Sequence, residues 1–436
     1  MKLLYVAPAY PPLVGGGERL VQALAEQAVA AGHQVTVVTS DVAQAADFWR
    51  WRPAHGRQAP YAVQEGPVRV IRCPAGGIPG GWTGLLLWRK AMIAAGSQPG
   101  ERERLLARMA SRVPTLPGLE HVLANLEGHD LVHGFNLSWE HALVAAWRHA
   151  RARGVPFVVR PDVHLGTPGD RRIARNYTMP HQLRLLRDAD AVVVNTNIER
   201  DGLIALGLAP ERVSVVGSGF DPQHAVADGT TAGDPMQARS LSDPLILFIG
   251  RVGRDKGAIH AAEAILSLGQ HQEPPSAPCL ALIGAIGSDF ARYYRRLSAG
   301  DQMRVQPLGF VGEADKHALL SRARALVLPS RVDSFGIVLL EAWAHGKPVI
   351  GARAGGIPGV IDEGINGLLV DWGDARGLAQ AIAQLLADPA AAERMGAAGR
   401  EKMSREYTWE AVYARIERVY QGLWRSGAQA PEAAPG

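Results

Sequence analysis

Short apolar runs alternate with segments of helical periodicity along most of the chain. A strand–helix–strand order with short connections is typical of parallel sheets, because parallel strands need crossover helices. In the first half, the runs predicted to form strands are 2–7, 34–39, 130–133, 155–159, 191–196 and 213–216. In the second half they are 245–249, 279–283, 304–308, 325–328, 348–351 and 367–370. We therefore predict an α/β protein with two Rossmann-like, doubly wound parallel-sheet domains.

Breaks in this pattern predict where the domains begin and end. One stretch of the first half lacks a regular α/β repeat, and a later stretch is polar and rich in Ala, Gly, Ser and Thr, which is typical of a linker. In chain order we expect a first domain at 1–222 with an irregular insert at about 42–115, a linker at 223–243, a second domain at 244–405, a helix at 406–425 and a disordered tail at 426–436.

The segment S-R-V-D-S-F-G-I-V-L-L-E-A-W-A-H-G carries two carboxylates, Asp333 and Glu341, around an apolar run. We expect Ser334 to cap a helix that Phe335 and Gly336 open. A helix start presents free N–H groups and a positive dipole end, which suit phosphate or sugar oxygens. The eight-residue spacing would place both carboxylates on one side of the helix. The alternative is a buried helix with two incidental acids.

A basic loop, G-R-V-G-R-D-K-G, follows the predicted strand 245–249, and helical periodicity resumes at Ala258. A strand, a glycine-bounded basic loop and a helix form a geometry that binds a diphosphate. Arg251 would act as a forked donor and Lys256 as a point charge. The alternative is a solvated basic turn, but the acid pair in the same half favours a binding site.

A glycine run, Gly15 to Gly17, follows the first predicted strand. Its bare backbone could approach a phosphate or sugar closely. The dinucleotide fingerprint G-x-G-x-x-G is absent there, although Asp41 after the second predicted strand leaves an NAD enzyme as an alternative.

The composition is that of a globular protein. The chain has 436 residues, of which 47% are hydrophobic and 20% charged, enough for two or three domains. No apolar run approaches the roughly 18 residues that span a bilayer, the first run is too short for a signal peptide, and Cys73 and Cys279 imply no disulfide framework. We expect a cytoplasmic enzyme. The net charge of +4 is too small for a nucleic-acid partner, but it is compatible with an anionic acceptor or lipid surface.

Together these segments resemble the retaining glycosyltransferases of family 4, which have the GT-B architecture of two Rossmann-like domains facing across a cleft. The resemblance covers nearly the whole chain and is most specific in the C-terminal half. The matching segments are the basic loop, the two acids with seven residues between them, Gly355-Gly356-Ile357-Pro358, 364–370 and 11–18.

The resemblance implies roles for individual residues. The two basic residues would hold the leaving diphosphate, the second acid would bind the ribose hydroxyls, and the first acid with its neighbouring N–H groups would hold the donor sugar. The implied catalytic residues are Asp333, Arg251 and Lys256. The implied donor-binding residues are Gly16, Gly17, Arg251, Lys256, Phe335, Gly336, Ile337 and Glu341. Candidates on the acceptor side are His133, Asn136 and His164.

Three positions depart from the family pattern. The first acid is usually Glu, whereas Asp333 is shorter by one CH₂. Phe135 occupies the position of the second His in an H-x-H motif that many members have near the reacting centre, so a catalytic His would come from elsewhere, such as His164. Gly359 stands where an acid is common.

The resulting hypothesis is transfer of a sugar from a nucleotide-diphosphate sugar, UDP- or GDP-linked, to a glycan, lipid-linked or small-molecule acceptor. The resemblance implies retention of anomeric configuration, no cofactor and no metal, and a C-terminal helix that packs on the first domain. No Asp-x-Asp triplet or metal-spaced His/Cys cluster appears in the sequence. The alternatives are a GT-B phosphorylase, a nucleotide-sugar epimerase, or a nucleotide-sugar-binding protein without catalysis.

Residues 80–112 mix apolar and basic side chains. The sequence W-T-G-L-L-L-W-R-K, from Trp82 to Lys90, is followed by further arginines. Such a segment can lie on the anionic inner face of a membrane, which would suit a lipid-linked acceptor. The alternative is an internal lid that packs over the acceptor cleft.

Overall fold

The computed structural model describes residues 1–428 except 14, 50–58, 99–101, 168, 223–235, 240 and 269–276. The predicted linker therefore lies largely outside the described residues, as does most of the predicted tail. The chain divides into two units. The first comprises Met1–Val163, Arg172–Gly217 and the residues from Val412 onward; the second comprises His164–Arg171 and Ser218–Ala411.

The first unit is built on a sheet in which all strands but the third and fourth follow the predicted apolar runs. These strands are β1 Lys2–Val6, β2 Gln34–Ser40, β3 Tyr61–Glu65, β4 Val68–Cys73, β5 Leu131–Phe135, β6 Phe157–Arg160, β7 Ala191–Val194 and β8 Val213–Val215. They lie in the order β3-β4-β2-β1-β5-β6-β7-β8, and neighbours are parallel except β3 and β4. This edge hairpin corrects the prediction of an irregular insert, because pairing with β2 gives the region regular structure.

The helices of the first unit up to the predicted linker are α1 Gly16–Ala30, α2 Gly81–Gly96, α3 Glu103–Ala110, α4 Leu119–Ala124, α5 Glu140–Arg153, α6 Arg171–Ala174, α7 Pro180–Asp188 and α8 Asn197–Ala205. Helix α1 buries Leu20, Val21 and Leu24, the face that its periodicity predicted. It begins inside the glycine run, with the extended Gly15 as its N-cap.

The second unit contains a parallel sheet that matches the predicted runs within one residue. Its strands are β9 Leu245–Ile249, β10 Cys279–Ile283, β11 Val305–Gly309, β12 Ala325–Leu328, β13 Val349–Ala352 and β14 Gly367–Val370, in the order β11-β10-β9-β12-β13-β14. The central strands are buried on both faces, as expected of a sheet covered by helices on each side.

The helices around this sheet are α9 Ala258–Leu268, α10 Ser288–Tyr294, α11 Ala299–Arg304, α12 Glu313–Arg322, α13 Ile337–Ala344, α14 Ala375–Ala387 and α15 Pro389–Glu406. One core cluster of this unit contains Trp343, whose ring is fully buried and whose Nε1 donates to the carbonyl of Asn366 at 3.0 Å. A Cβ on Gly399 would lie 2.1 Å from that ring, so glycine there lets α15 pack onto α13.

The last helix, α16, spans Trp409–Ala428. Its residues Val412, Ile416 and Tyr420 recur at helical spacing and are fully buried. The Tyr420 hydroxyl donates to the Tyr5 hydroxyl at 3.0 Å and lies 2.6 Å from Nδ1 of His133. This part of the helix therefore completes the core of the first unit.

Candidate functional site

The strand order of the second unit brings two loops to one edge of its sheet. Strand β9 lies between β10 and β12, and the winding direction reverses between β9 and β12. In open α/β sheets, ligands bind at the carboxyl ends of the strands at such a switch point. The basic loop, 250–257, follows β9, and the acid loop, 329–336, follows β12. Topology therefore places the two predicted motifs side by side.

The two loops touch at Gly257 and Lys256. Gly257 has a φ of +83°, and a Cβ on it would lie 2.1 Å from the carbonyl oxygen of Pro329, so glycine is what allows this approach. Lys256 Nζ donates a hydrogen bond to Oδ1 of Asp333 at 2.6 Å. Both side chains are mostly buried, with 22% and 15% exposed. The predicted phosphate-binding lysine and the predicted sugar-binding acid thus form one ion pair.

The environment of Asp333 keeps its carboxyl group ionised. Burial by itself would raise its pKa, but the Lys256 ammonium, the Ser330 hydroxyl and the positive field of His164 lower the pKa below its usual range. An ionised carboxylate only accepts hydrogen bonds. Asp333 is therefore suited to binding the hydroxyl groups of a sugar and has no proton to donate at neutral pH.

The start of α13 differs from the prediction. Gly336, with a φ of +87°, is the N-cap residue, and the helix begins at Ile337. The prediction that Ser334 caps the helix is wrong, because a left-handed glycine makes the turn instead. Among the described residues, the N–H groups of Phe335, Gly336 and Ile337 have no hydrogen-bond acceptor. They can bind phosphate or hydroxyl oxygens.

Two further glycines hold the acid loop in shape. Gly356 N–H donates to the carbonyl of Asp333 at 2.8 Å. A Cβ on Gly355 would lie 2.3 Å from that carbonyl oxygen, and a Cβ on Gly356 would lie 1.8 Å from the carbonyl oxygen of Ser334. The glycine pair noted in the sequence therefore allows a close backbone contact beneath the acid loop.

Glu341 lies in the middle of α13 and has a different partner from Asp333. Its carboxylate is 3.0 Å from Lys316 Nζ, and both side chains are 9% exposed. Lys316 also donates to Oε2 of Glu313 at 2.8 Å. The prediction that the two acids lie together on one side of the helix is wrong, since Asp333 precedes the helix. Each acid instead pairs with a lysine of its own.

Lys316 was not among the predicted site residues, although the sequence contains a signal for it. It lies three and four positions before Leu319 and Leu320, which are fully buried. A lysine on the apolar face of a helix is rarely buried without a partner of opposite charge. The sequence could therefore have indicated a buried ion pair, but it could not have identified Glu341 as the partner.

Arg251 is exposed at the start of the basic loop. Burial by itself would raise the pKa of Asp289, but hydrogen bonds from backbone N–H groups, those of Arg254 and Phe290 first, lower this pKa, and the positive charge of Arg251 adds a smaller contribution. The Arg254 N–H to Asp289 Oδ2 distance of 2.7 Å fixes the middle of the loop. Arg251 thus projects from a braced loop and can reach a ligand.

His164 is the acceptor-side candidate that the structure brings to this site. The segment 164–171 belongs to the second unit, and the Gly355 N–H donates to the carbonyl of Gly166 at 2.9 Å. His164 is close enough to lower the pKa of Asp333. The segment that carries His164 is therefore attached beside the acid loop, and the role of this histidine in place of one at position 135 stays a prediction.

The other candidates lie in the first unit. His133 is fully buried, stacked on Phe135 at 4.1 Å between ring centroids, and its pKa is lowered by burial and by Arg160. These contacts make it a core residue, so we do not retain it as an acceptor ligand. Asn136 follows β5 with a φ of 67°, and its Oδ1 accepts from the Ser138 N–H at 2.9 Å.

The glycine run lies at the corresponding edge of the first sheet. Gly16 and Gly17 are exposed in the first turn of α1, which follows β1. Strands β1 and β5 flank the switch point of that sheet, so Asn136 and these glycines occupy the same edge.

Within residues 1–428 outside the gaps, no group of three or more His, Cys, Asp or Glu side chains could hold a metal ion. No helix in the same part of the chain is both long and apolar enough to cross a membrane.

Family models match both parts of the chain. A model described as glycosyl transferase 4-like domain matches residues 15–219, and a model described as glycosyl transferases group 1 matches residues 235–402. The second match contains both the basic loop and the acid loop.

Curated proteins extend the similarity over most of the chain. A glycogen synthase from Mycobacterium tuberculosis is 29% identical over 98% of this chain and 96% of its own length. A D-inositol 3-phosphate glycosyltransferase from Catenulispora acidiphila is 32% identical over 70% of this chain and 74% of its own length.

A solved structure, Anabaena HepE in complex with UDP-glucose, has the same fold. It is 19% identical, covers 97% of this chain and 100% of its own, and has a TM-score of 0.66. The two α/β units are thus those of the GT-B architecture that the motifs predicted.

Proposed function

The chain belongs to the glycosyl transferases group 1 family, and we propose that it transfers a sugar from a UDP- or GDP-sugar to a hydroxyl acceptor with retention of anomeric configuration. The observation that carries the proposal is the Lys256–Asp333 ion pair beside the N–H groups at the start of α13. Cation, carboxylate and free N–H groups converge at the switch point, where a nucleotide sugar would offer diphosphate and hydroxyl groups.

Each part of this site has a chemical task in the proposed reaction. Lys256 and Arg251 neutralise the charge that develops on the diphosphate as the glycosidic C–O bond breaks. Asp333 and the N–H groups of Phe335 and Gly336 orient the sugar. We propose same-face attack by the acceptor oxygen, whose proton passes to the departing phosphate oxygen. The protein would then need no nucleophile of its own, and the two cations would replace a metal.

The nucleotide is supported by a structural relative. The HepE structure contains UDP-glucose, which favours UDP among the candidate nucleotides. The curated relatives are named for glucan and inositol phosphate acceptors. We therefore propose a polyhydroxylated acceptor bound by the first unit, at the sheet edge where Asn136 lies, while Gly16 and Gly17 stay predicted donor contacts. The donor would be bound by the second unit.

The test is a donor screen followed by product analysis. We expect one of UDP-, GDP- or ADP-glucose to raise the melting temperature, since a ligand at 100 times its Kd stabilises by about 2.7 kcal/mol. NMR of the product formed on candidate glycans and polyols should show the anomeric configuration of the donor, with and without EDTA. An inverted product would refute retention. Turnover that requires inorganic phosphate would identify a phosphorylase, and binding without turnover would identify a non-catalytic protein.

Replacing Glu341 by Ala should separate nucleoside recognition from phosphate recognition. We expect affinity for UDP to fall by about 10-fold or more, because a charge-assisted hydrogen bond to ribose contributes roughly 1.5–3 kcal/mol. Affinity for inorganic pyrophosphate should stay unchanged, because this ligand has no ribose. Calorimetric titration of both ligands measures the difference.

The variant Lys316→Met is the matched control for Glu341→Ala, since it leaves the buried carboxylate without its cation. If both variants lose UDP and pyrophosphate affinity equally, Glu341 has a general structural role and does not bind ribose.

Helices α2 and α3 carry an exposed apolar surface that would suit a lipid-linked acceptor. Trp82, Leu86, Leu87 and Leu105 are 50%, 43%, 63% and 49% exposed. Arg89 does not contribute, because its NH1 lies 2.9 Å from Glu140 Oε1. We propose that this surface contacts anionic membranes, an alternative favoured over the internal lid by these exposed residues.

Sedimentation with anionic liposomes tests the membrane proposal. We expect salt-sensitive binding that is lost in Trp82→Ser/Leu87→Ser, because these side chains supply the apolar contact. The control is Phe310→Ser, which removes an 82% exposed aromatic ring from the second unit. Absence of binding by the unchanged protein at low salt would exclude the membrane contact and favour a water-soluble acceptor.

A further inference from the structure

Arg331 is the centre of a charged cluster in the second unit that has no role in the proposed chemistry so far. Its Nε and NH2 donate to Oδ1 of Asp255 at 3.0 and 2.7 Å. Its NH1 lies 3.5 Å from Oδ2 of Asp170. The guanidinium carbon lies 4.1 Å from the centroid of the Trp372 ring. One side chain therefore contacts two carboxylates and an aromatic face at once.

The Arg331 side chain is mostly buried although the cluster lies near the surface. The Arg331 side chain is 16% exposed and Asp170 is 22% exposed, whereas Asp255 is 46% exposed. A guanidinium that stacks on tryptophan has few rotamers left to lose when it binds a carboxylate. The shorter contact to Asp255 is a hydrogen-bonded pair, and the longer one to Asp170 is mainly electrostatic.

The positions of these residues in the chain show that the cluster connects the basic loop to the acid loop. Asp255 directly precedes Lys256, and Arg331 lies two residues before Asp333. Two ion pairs thus join the basic loop to the acid loop. In one pair the cation, Lys256, lies on the basic loop, and in the other the cation, Arg331, lies on the acid loop. The Arg331 N–H also donates to the Asp255 carbonyl at 3.1 Å. The pair Asp255–Arg331 therefore sets the spacing at which Lys256 meets Asp333.

Arg331 also holds a third segment. Asp170 lies near one end of the segment 164–171, and His164 lies at the other end. The hydrogen bond from Gly355 to the Gly166 carbonyl is the second attachment of this segment to the acid-loop region. Two anchors on a short segment restrict where the imidazole of His164 can lie relative to Asp333.

We propose that Arg331 is a positioning residue that aligns Lys256 and His164 with Asp333 through its contacts to Asp255 and Asp170. The inference rests on the proposed function for its catalytic meaning, whereas the alignment itself is a property of the second unit. A misplacement of about 1 Å at a reacting group can lower turnover by about 100-fold.

Hydrogen exchange tests the alignment without any substrate. In Arg331→Met, amide exchange should accelerate in the peptides covering 164–167 and 251–256. In Asp170→Asn it should accelerate only in 164–167. The matched control is Arg353→Met, which removes an exposed arginine of the same unit that pairs with Glu363. Unchanged exchange in both segments of folded Arg331→Met would overturn the proposal.

Steady-state hydrolysis of UDP-glucose and calorimetric titration of UDP give the catalytic readout. Arg331→Met should lower kcat by about 10- to 100-fold and should also lower the affinity for UDP. Asp170→Asn should lower kcat by about 10-fold and leave UDP affinity within about twofold, because Lys256 keeps its place. Arg331→Lys should recover only part of kcat, because an ammonium is a single donor centre without the planar fork that reaches Asp255 and Asp170 from different nitrogens while stacking on Trp372.

The outcomes separate this inference from the proposed function. Suppose that hydrogen exchange is faster in Arg331→Met but the wild-type protein binds no nucleotide sugar. This result would refute the proposed function and would still support the role of Arg331 in aligning the loops. An altered exchange pattern without any change in kcat or UDP affinity would overturn the positioning role.

Discussion

Replacing Asp333 by Asn is expected to lower turnover by about 100-fold or more, the cost of removing one charged group from a preorganised site. The amide keeps the size of the side chain but cannot accept the same hydrogen bonds from the donor sugar. UDP affinity should stay the same or increase, because the partner that lies 2.6 Å from Lys256 loses its negative charge and the ammonium becomes more available to phosphate. Turnover measured beside calorimetric UDP binding gives both quantities.

Asp333→Glu is the control for this prediction. Glu is the residue that the resembled family usually has here, so this variant should retain activity. If Asp333→Asn keeps its activity and Asp333→Glu loses it, the side chain at position 333 has a structural role and does not act in catalysis.

The lowered pKa of Asp333 adds a condition on pH. A carboxyl group with a depressed folded pKa contributes stability above its ordinary range, and this contribution is lost only as pH falls through the folded pKa. Any acidic limb of the activity profile near neutrality must therefore come from another group.

Gly257→Ala is expected to impair both stability and turnover. A left-handed backbone costs an alanine about 1–2 kcal/mol, and relieving a contact of 2.1 Å with the Pro329 carbonyl would add about 1–3 kcal/mol. The added methyl group would also push the basic loop away from the acid loop and stretch the Lys256–Asp333 contact. Thermal unfolding and steady-state turnover measure the two effects.

Gly373→Ala is the matched control in the same unit. Its φ of +90° is similar, but nothing lies within 4 Å of the added Cβ. It should therefore show only the backbone cost, with turnover preserved. Equal losses in the two alanine variants would mean that close packing of the loops does not matter for activity.

The parallel strands of the second unit were predictable from sequence because buried strands appear as short apolar runs. The hairpin β3–β4 was missed because an edge strand with one exposed face, such as Tyr61–Glu65, has too little apolar character to stand out. Tertiary pairing with β2 decides its structure, and that pairing is not encoded in local periodicity.

At the site, the residues that bind through their chemistry were easier to predict than those that depend on geometry. Lys256 and Asp333 were expected to act near each other, since each motif follows a buried strand of the same half. The cap at Gly336 was missed because a serine two residues earlier satisfies the local preference, whereas the turn into the helix requires a left-handed φ of +87° that favours glycine. Arg331 was missed because its two carboxylate partners are distant in sequence.

The completion of the first unit by Tyr420 has a consequence for biosynthesis. The hydroxyl group of Tyr420 makes hydrogen bonds with Tyr5 and His133, and each of these two residues is more than 280 positions away from Tyr420 in the chain. All three side chains are fully buried. While the ribosome is still translating the second unit, the first must remain with this part of its core uncovered. Domains usually fold as units during synthesis, N-terminal first. Here the second sheet can form before the first unit is finished, so ribosome-bound chains stalled before residue 412 should recruit chaperones to the first unit.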